Sequence, residues 1–237
     1  MKISYFNDYN ALSEAAKKLI LNTLEIKKNS LLCAATGNSP LKTYQLLVEY
    51  YNKNPDLFSA LRLLKLDEWG GVPMDDPQTC ESFLQENLVK PLKISSERYL
   101  SFRSDAADPQ LECKRMQNIL DTQSTVDLCI LGLGKNGHIG FNEPAAALTP
   151  HCHVAKLTAD SMQHSMAQAM QQKPTYGITL GIKDILQAKK IILLVTGSNK
   201  KQIMQQLLHA TITTYLPASF LWLHNDVECL VDKNVLA

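Results

Sequence analysis

The chain has 237 residues, of which 45% are hydrophobic and 20% charged, and its formal net charge is +1. These values are ordinary for a globular protein with a sizeable core, and the scattered charges favour neither a nucleic-acid partner nor a membrane surface. No apolar run reaches the length of a membrane span, and the first residues lack the apolar segment of a signal peptide, so we predict a cytoplasmic protein.

Apolar runs of strand length alternate with helical patterns along the chain. In chain order, the predicted elements are a helix at 11–20, a strand at 30–35, a helix from about 40 to 48, a strand at 61–66, helices near 79–89 and 107–120, a strand at 126–131, helices at about 159–171 and 182–187, a strand at 191–195, helices at 200–208 and 218–223, and a strand at 227–231. Continuous apolar strands separated by helices are typical of a mostly parallel sheet that is covered on both faces. We therefore predict an α/β fold with a single domain.

Ligands of such sheets bind beyond the carboxyl ends of the strands, so polar residues that follow a predicted strand are the candidate site residues. The first set is the turn formed by Thr36, Gly37, Asn38, Ser39 and Pro40. Backbone N–H groups and the helix dipole at such a turn favour an anion, and the two hydroxyl groups add donors. Taken alone, the segment slightly favours a simpler explanation, in which Ser39 caps the helix of an ordinary turn.

A second turn of this kind follows the strand at 191–195 and contains Thr196, Gly197, Ser198, Asn199, Lys200 and Lys201. Lys200 could reach an anion bound beside the first turn of the next helix. Two such turns in one sheet favour a phosphate site more than either does alone. The alternative is that Lys200 and Lys201 are solvated surface residues, which is the commoner fate of a lysine pair.

Two adjacent carboxylates, Asp67 and Glu68, follow the strand at 61–66. Neighbouring residues of a strand point to opposite sides, so the two need not share a role. A carboxylate at the end of a strand and near the apolar Trp69 can have a raised proton affinity and act as a base. Equally, one of them could cap a loop or pair with an arginine.

The richest segment is the loop GLGKNGHIGFNEP at residues 132–144. Its G-x-G-x-x-G string also occurs in dinucleotide sites, which need a helix directly afterwards and an acidic residue about 20 positions on. Here a polar cluster with Pro144 follows instead and Leu157 stands near that position, so we reject the nucleotide interpretation. The loop presents Asn136, His138, Asn142 and Glu143. His138 is suited to proton transfer near neutral pH, and a carboxylate beside it can orient the ring.

Other histidines and the cysteines carry weaker signals. The six cysteines are dispersed without a C-x-x-C pair, which argues against a disulfide framework and a cysteine-based zinc site. His151 and His153 do not make a full ligand set, so we predict no metal. We predict that His164 is a helix or surface residue.

With these motifs the chain resembles the glucosamine-6-phosphate deaminase (isomerase) family over nearly its whole length. Residues 36–44 are similar to the phosphate loop of that family, and residues 66–69 are similar to its D-E-[YW] motif. Thr196-Gly197 with Lys200 is similar to the second phosphate-binding turn of the family. The most specific match is GHIGFNEP at residues 137–144. The related 6-phosphogluconolactonases share the glycine-rich segment but usually lack the F-N-E-P ending.

The resemblance implies a cofactor-free isomerase that converts glucosamine 6-phosphate or galactosamine 6-phosphate to the ketose 6-phosphate and ammonia. Asp67 would move a proton between the first two sugar carbons, and His138, assisted by Glu143 and Asn136, would open the ring. The phosphate would rest on the two turns, at Thr36, Gly37, Asn38, Ser39 and Lys200. The resemblance also implies one Rossmann-like, sugar-phosphate isomerase domain over residues 1–237, with residues about 150–175 as a candidate lid. The sequence leaves a homo-oligomer open.

This chain departs from the family pattern at several positions. Many members have Asp where this chain has Asn136, many have an arginine in the region of 159–171, and a Gly is common where Asn38 stands. These departures leave open which hexosamine epimer is used. They also leave open a weakened relative, a lactonase that uses His138 as a base, and a non-catalytic sugar-phosphate sensor.

Overall fold

A computed structural model describes residues 1–123, 125–198 and 200–236, in which strands and helices alternate. The strands are β1 (Lys2–Phe6), β2 (Leu31–Ala34), β3 (Arg62–Lys65), β4 (Asp67–Gly70), β5 (Tyr99–Leu100), β6 (Leu128–Gly132), β7 (His153–Ala155), β8 (Tyr176–Thr179), β9 (Lys190–Val195) and β10 (Val227–Asp232). The helices are α1 (Tyr9–Ile26), α2 (Asn38–Tyr51), α3 (Cys80–Leu84), α4 (Pro109–Gln123), α5 (Ala159–Met162), α6 (Ser165–Ala169), α7 (Ile182–Leu186) and α8 (Lys201–Leu208). Short 3-10 helices lie at Pro55–Phe58, Ser96–Arg98, Pro217–Leu223 and Lys233–Leu236, and a π-helical turn lies at Gln85–Val89.

Within the described ranges, seven strands form one sheet in the order β1-β10-β9-β6-β2-β3-β5, and every neighbouring pair is parallel. This confirms the predicted α/β fold. Four consecutive strands of the sheet, β9, β6, β2 and β3, are those that the polar segments follow. The carboxyl ends of parallel strands lie at the same edge of a sheet. Because these four strands are neighbours, the polar segments that follow them lie close together.

Apolar side chains alternate between the two faces of this sheet. Leu31 and Cys33 of β2 belong to one hydrophobic cluster, which α4, α7 and α8 complete. Leu32 and Ala34 belong to a second cluster, which α1 and α2 cover. The central strands are therefore buried on both faces, which explains why their sequences are continuously apolar.

A second, three-stranded antiparallel sheet in the order β4-β8-β7 was not among the sequence predictions. Its central strand β8 pairs Thr179 with Asp67 on one side and with His153 on the other. The strands are three or four residues long, too short for a periodic pattern to reveal. Trp69 of β4 packs edge-on against Phe141, with ring centroids 4.7 Å apart, so this sheet is attached to the glycine-rich loop.

Other elements also differ from the predictions. The edge strand β1 was missed because it is only partly buried and lacks an apolar run. The helix predicted at 79–89 is α3 followed by the π-helical turn. The helix predicted at 159–171 is two short helices, since His164 has extended backbone angles and caps α6. Among the described helices, none is both long enough and apolar enough to pass through a bilayer.

Candidate active site

The four polar segments surround one cavity of about 470 Å³ at the carboxyl edge of the parallel sheet. Its volume lies in the range of small-molecule sites. Most of the candidate site residues line it, namely Thr36, Gly37, Asn38, Ser39, Asp67, His138 and Lys200. Two others, Asn136 and Glu143, do not lie on the cavity wall and instead contact each other beside His138.

The turn after β2 has the geometry of an anion site. Gly37 is the N-cap of α2 with φ of +91°, a conformation that side-chain-bearing residues rarely adopt. Its backbone therefore approaches the cavity closely at the positive end of a 14-residue helix. The alternative in which Ser39 caps the helix is wrong, because Ser39 lies inside α2 and its Oγ accepts a 2.8 Å hydrogen bond from Thr196 Oγ1.

That hydrogen bond joins the first turn to the second one, after β9. Lys200 is partly buried there, and its ammonium group donates to the backbone carbonyl of Leu133. Burial, with a smaller contribution from Lys135, lowers the pKa of Lys200 to about 8. Lys201 is exposed, so the surface interpretation applies to Lys201 and not to Lys200. Asn199, which was part of the predicted turn, lies outside the described residues.

The two adjacent carboxylates after β3 have different environments, as their opposite orientations predicted. Asp67 lies on the cavity wall, where burial and the charge of Glu68 raise its pKa to about 7 while Lys65 partly opposes the shift. The thiol of Cys80 lies 3.9 Å from Asp67 Oδ1. A carboxyl group with a pKa near 7 can take up and release a proton at neutral pH.

Glu68 is fully buried and has a structural role. One oxygen lies 2.6 Å from Lys65 Nζ, and the carboxylate accepts hydrogen bonds from the backbone N–H groups of Trp69, Cys80 and Glu81. Lys65 is equally buried and also contacts Glu81 at 2.8 Å. The network fixes the start of α3 against β4, which keeps Asp67 in place.

His138 also lies on the cavity wall, with its ring against Gly134. A Cβ atom built on Gly134 would lie 2.4 Å from the ring, so only glycine fits there. The buried Nδ1 is 3.4 Å from Glu143 Oε2, an ion-pair distance without hydrogen-bond geometry. Asn136 Nδ2 donates to the same Oε2 at 2.8 Å. Because Nδ1 faces Glu143, the opposite edge of the ring is the part that is exposed to the cavity.

Glu143 is a carboxylate at neutral pH. Burial raises its pKa, but His138, Ser161 and Asn136 together hold the pKa below its ordinary value. This ionised carboxylate lies beside the imidazole of His138, where it can orient the ring.

Several residues of the site escaped the sequence analysis. Ser161 of α5 lines the cavity and its hydroxyl donates to Glu143 Oε1. His164, predicted to be a helix or surface residue, lines the cavity as an exposed residue. Cys80 lies between Asp67 and Thr36, whose Oγ1 is 3.2 Å from the thiol. Ser161 and Cys80 come from helices and His164 from the turn between two helices, where no pattern distinguishes a site residue from a surface or core residue.

The arrangement combines two turns that have the geometry of an anion site with two side chains, Asp67 and His138, that are suited to proton transfer, and all of them line one cavity. In the part of the chain that the structure describes, no three His, Cys, Asp or Glu side chains are grouped as metal ligands are. The groups present suit a reaction in which an anionic end holds the ligand while protons move at the other end.

Comparison with known proteins agrees with this arrangement. The family model of glucosamine-6-phosphate isomerases/6-phosphogluconolactonase matches residues 8–230. The protein AgaI of Escherichia coli (strain K12) is 44% identical over 225 residues, which cover 95% of this chain and 89% of that protein. Glucosamine-6-phosphate deaminase of Clostridium novyi (strain NT) is 39% identical over 237 residues, which cover 99% of this chain and 98% of that protein.

Solved structures agree as well. A monomeric glucosamine-6-phosphate deaminase of the NagB superfamily superposes with a TM-score of 0.94 at 31% identity, and both chains are covered completely. The 6-phosphogluconolactonase of Trypanosoma brucei has the same fold, with a TM-score of 0.74 at 21% identity. The superposition covers 99% of this chain and 97% of that chain. From its matched motifs, sequence and fold, this chain belongs to the glucosamine-6-phosphate isomerase/6-phosphogluconolactonase family.

Proposed function

We propose that the protein is an amino-sugar-phosphate isomerase that converts a hexosamine 6-phosphate to the ketose 6-phosphate and releases ammonia. The observation that carries this proposal is the placement of Asp67 and His138 on the wall of one cavity that also contains the two anion-binding turns. Relatives named glucosamine-6-phosphate deaminase, with nearly full coverage of both chains, support the same substrate class.

The reaction begins with ring opening at His138. The ring oxygen of the sugar must gain a proton while the anomeric hydroxyl loses one, which suits an imidazole beside an ionised carboxylate. Glu143 stabilises the cationic ring, and Asn136 holds Glu143 by its hydrogen bond. Because Asn136 cannot titrate, proton transfer at this wall depends on His138 and Glu143.

Isomerisation then proceeds at Asp67. Its carboxylate removes the proton of the amine-bearing carbon, which gives an enolamine. Return of a proton at the neighbouring carbon gives an imine, and water replaces ammonia at the imine carbon to leave the ketose. The phosphate rests on Thr36, Gly37, Asn38, Ser39 and Lys200. Binding energy from this remote end orients the reacting carbons without taking part in their chemistry.

The pH dependence of kcat/KM should reflect the unusual pKa of Asp67. Its carboxyl must be ionised to act as a base, and its pKa is about 7. We therefore expect kcat/KM to fall about tenfold per pH unit below pH 7. The substrate phosphate also titrates near pH 6. The affinity for an open-chain amino-alditol 6-phosphate, which cannot isomerise, is therefore measured over the same pH range. The pH dependence of this affinity gives the contribution of the phosphate, which is then subtracted from the kcat/KM profile. A corrected profile that is flat from pH 5.5 to about 8 would contradict the prediction.

The Lys200→Ala substitution should weaken the binding of phosphorylated sugars selectively. A lost charge-assisted hydrogen bond costs about 1.5–3 kcal/mol, and a pKa of about 8 leaves Lys200 mostly protonated at neutral pH. Calorimetric titration with the amino-alditol and its 6-phosphate measures the difference. The exposed neighbour provides the control, since Lys201→Ala should leave both affinities unchanged. Equal affinity in wild type and Lys200→Ala would remove Lys200 from the phosphate site.

An ammonia-release assay tests the function itself. Glucosamine 6-phosphate and galactosamine 6-phosphate are compared, with the Glu143→Gln variant as the control. Release from one epimer that is lost in the control supports the deaminase and identifies the substrate. No release from either epimer contradicts the proposal, and a lactone-hydrolysis assay with a phosphate-binding measurement then separates a lactonase from a non-catalytic sensor.

A further inference from the structure

We propose that the Nε2–H group of His164, which faces the turn at Gly37, is a direct ligand of the substrate phosphate. The inference rests on the proposed function and adds to it a phosphate ligand from the segment between α5 and α6. No motif in the sequence marked this residue.

Position is the first argument. His164 lines the same cavity as the two anion-binding turns. A Cβ atom built on Gly37 would lie 3.6 Å from His164 Nε2, so the ring edge faces the N-cap of α2. The backbone N–H groups in the first turn of a helix have no acceptors within the helix. A phosphate oxygen bound to those groups would therefore lie within hydrogen-bonding reach of Nε2.

The tautomer of His164 is the second argument. Its Nδ1 accepts a hydrogen bond of 3.3 Å from the backbone N–H of Met166, which caps α6. In the neutral ring, the proton must then be on Nε2, which is the atom that faces Gly37. The ring is further held beside Trp69, with centroids 6.0 Å apart and planes inclined by 39°. A donor in a fixed orientation thus points at the anion site.

The charges around His164 are the third argument. The loss of water around the ring, followed by the effects of the nearby His138, Lys200 and Lys135, lowers the pKa of His164. Among the described residues, the acidic side chains that line the cavity are Asp67 and Asp160. Positive groups that line one cavity repel one another, and a dianion placed among them removes that repulsion. Phosphate monoesters are dianions of this kind.

Two substitutions separate a phosphate ligand from a helix cap. In His164→Asn, the side-chain oxygen replaces the Nδ1 acceptor that caps α6, but the Nε2 donor is lost. In His164→Gln, the amide nitrogen reaches near the former position of Nε2 and keeps a donor. We expect the dissociation constant for inorganic phosphate to rise about tenfold or more in His164→Asn and clearly less in His164→Gln. The affinity for the unphosphorylated amino-alditol should change less than twofold in both.

The exposed His209, outside the cavity, provides the control, and His209→Ala should bind phosphate as the wild type does. Phosphate affinity within threefold of wild type in His164→Asn would overturn the proposal and leave His164 as a helix cap. The proposal would also be overturned if His164→Gln lost as much phosphate affinity as His164→Asn. Because binding is measured without turnover, this test is independent of the ammonia-release assay, whose failure would contradict the proposed function alone.

Discussion

The Asp67→Asn substitution is expected to lower kcat by about two to four orders of magnitude, the usual contribution of a general base. Asparagine has nearly the same shape as the carboxyl but cannot take the proton from the amine-bearing carbon. Substrate affinity should remain close to that of the wild type, since the phosphate turns are untouched. Exchange of that carbon-bound hydrogen with deuterated solvent, followed by NMR, measures the step directly.

Stability provides an internal control for this variant. The folded protein holds the pKa of Asp67 at about 7, above the ordinary value of 3.8. Between these values the unfolded chain has released a proton that the folded protein keeps, so stability falls as pH rises through this window. An asparagine side chain does not titrate and so removes that penalty; we expect Asp67→Asn to melt at the same or a higher temperature than wild type at pH 8. Near wild-type hydrogen exchange in a well-folded variant would refute the assignment of Asp67 as the base.

The Lys65→Met substitution is expected to cause the largest loss of stability, about 3–5 kcal/mol in the free energy of unfolding. Lys65 and Glu68 are completely buried, and Glu81 is close to the same ammonium group. Methionine fills a similar volume but leaves two carboxylates without their cation. For a chain of this length, such a loss lowers the melting temperature by about 10 °C. Thermal or urea unfolding measures it.

An ion pair at the surface provides the matched comparison. Lys17 pairs with Glu14 at 2.5 Å, one turn apart on α1, where both side chains reach solvent. Lys17→Met should change the free energy of unfolding by less than about 1 kcal/mol. Equal losses in the two variants would show that the buried network contributes no more than a surface pair.

The same network also influences the proposed base. Lys65 lowers the pKa of Asp67, whereas burial and Glu68 raise it. Removal of the lysine should therefore raise that pKa and move the fall in kcat/KM to higher pH. If Lys65→Met is too unstable to assay, Glu81→Gln removes one charge while its amide keeps a hydrogen-bonding group near Lys65.

The sequence by itself determined the parallel sheet and the polar segments that contain the candidate site residues. The apolar runs that became β2, β3, β6 and β9 are buried on both faces, and burial of that kind needs continuous apolar sequence. The polar residues after them were visible as site candidates because they interrupt this pattern. The family resemblance rested on those same segments, above all GHIGFNEP at residues 137–144.

Only the tertiary structure decided how the segments combine. The order β9-β6-β2-β3 places four distant turns around one cavity, and no local pattern encodes that order. The pKa of Asp67 and the position of His164 depend on contacts between residues far apart in the sequence. The buried pair of Lys65 and Glu68 likewise depends on Glu81 and on the backbone N–H groups of α3. Local sequence determines hydrophobic periodicity and turns, whereas burial, charge and ligand geometry arise from packing, and so they became visible only in the folded chain.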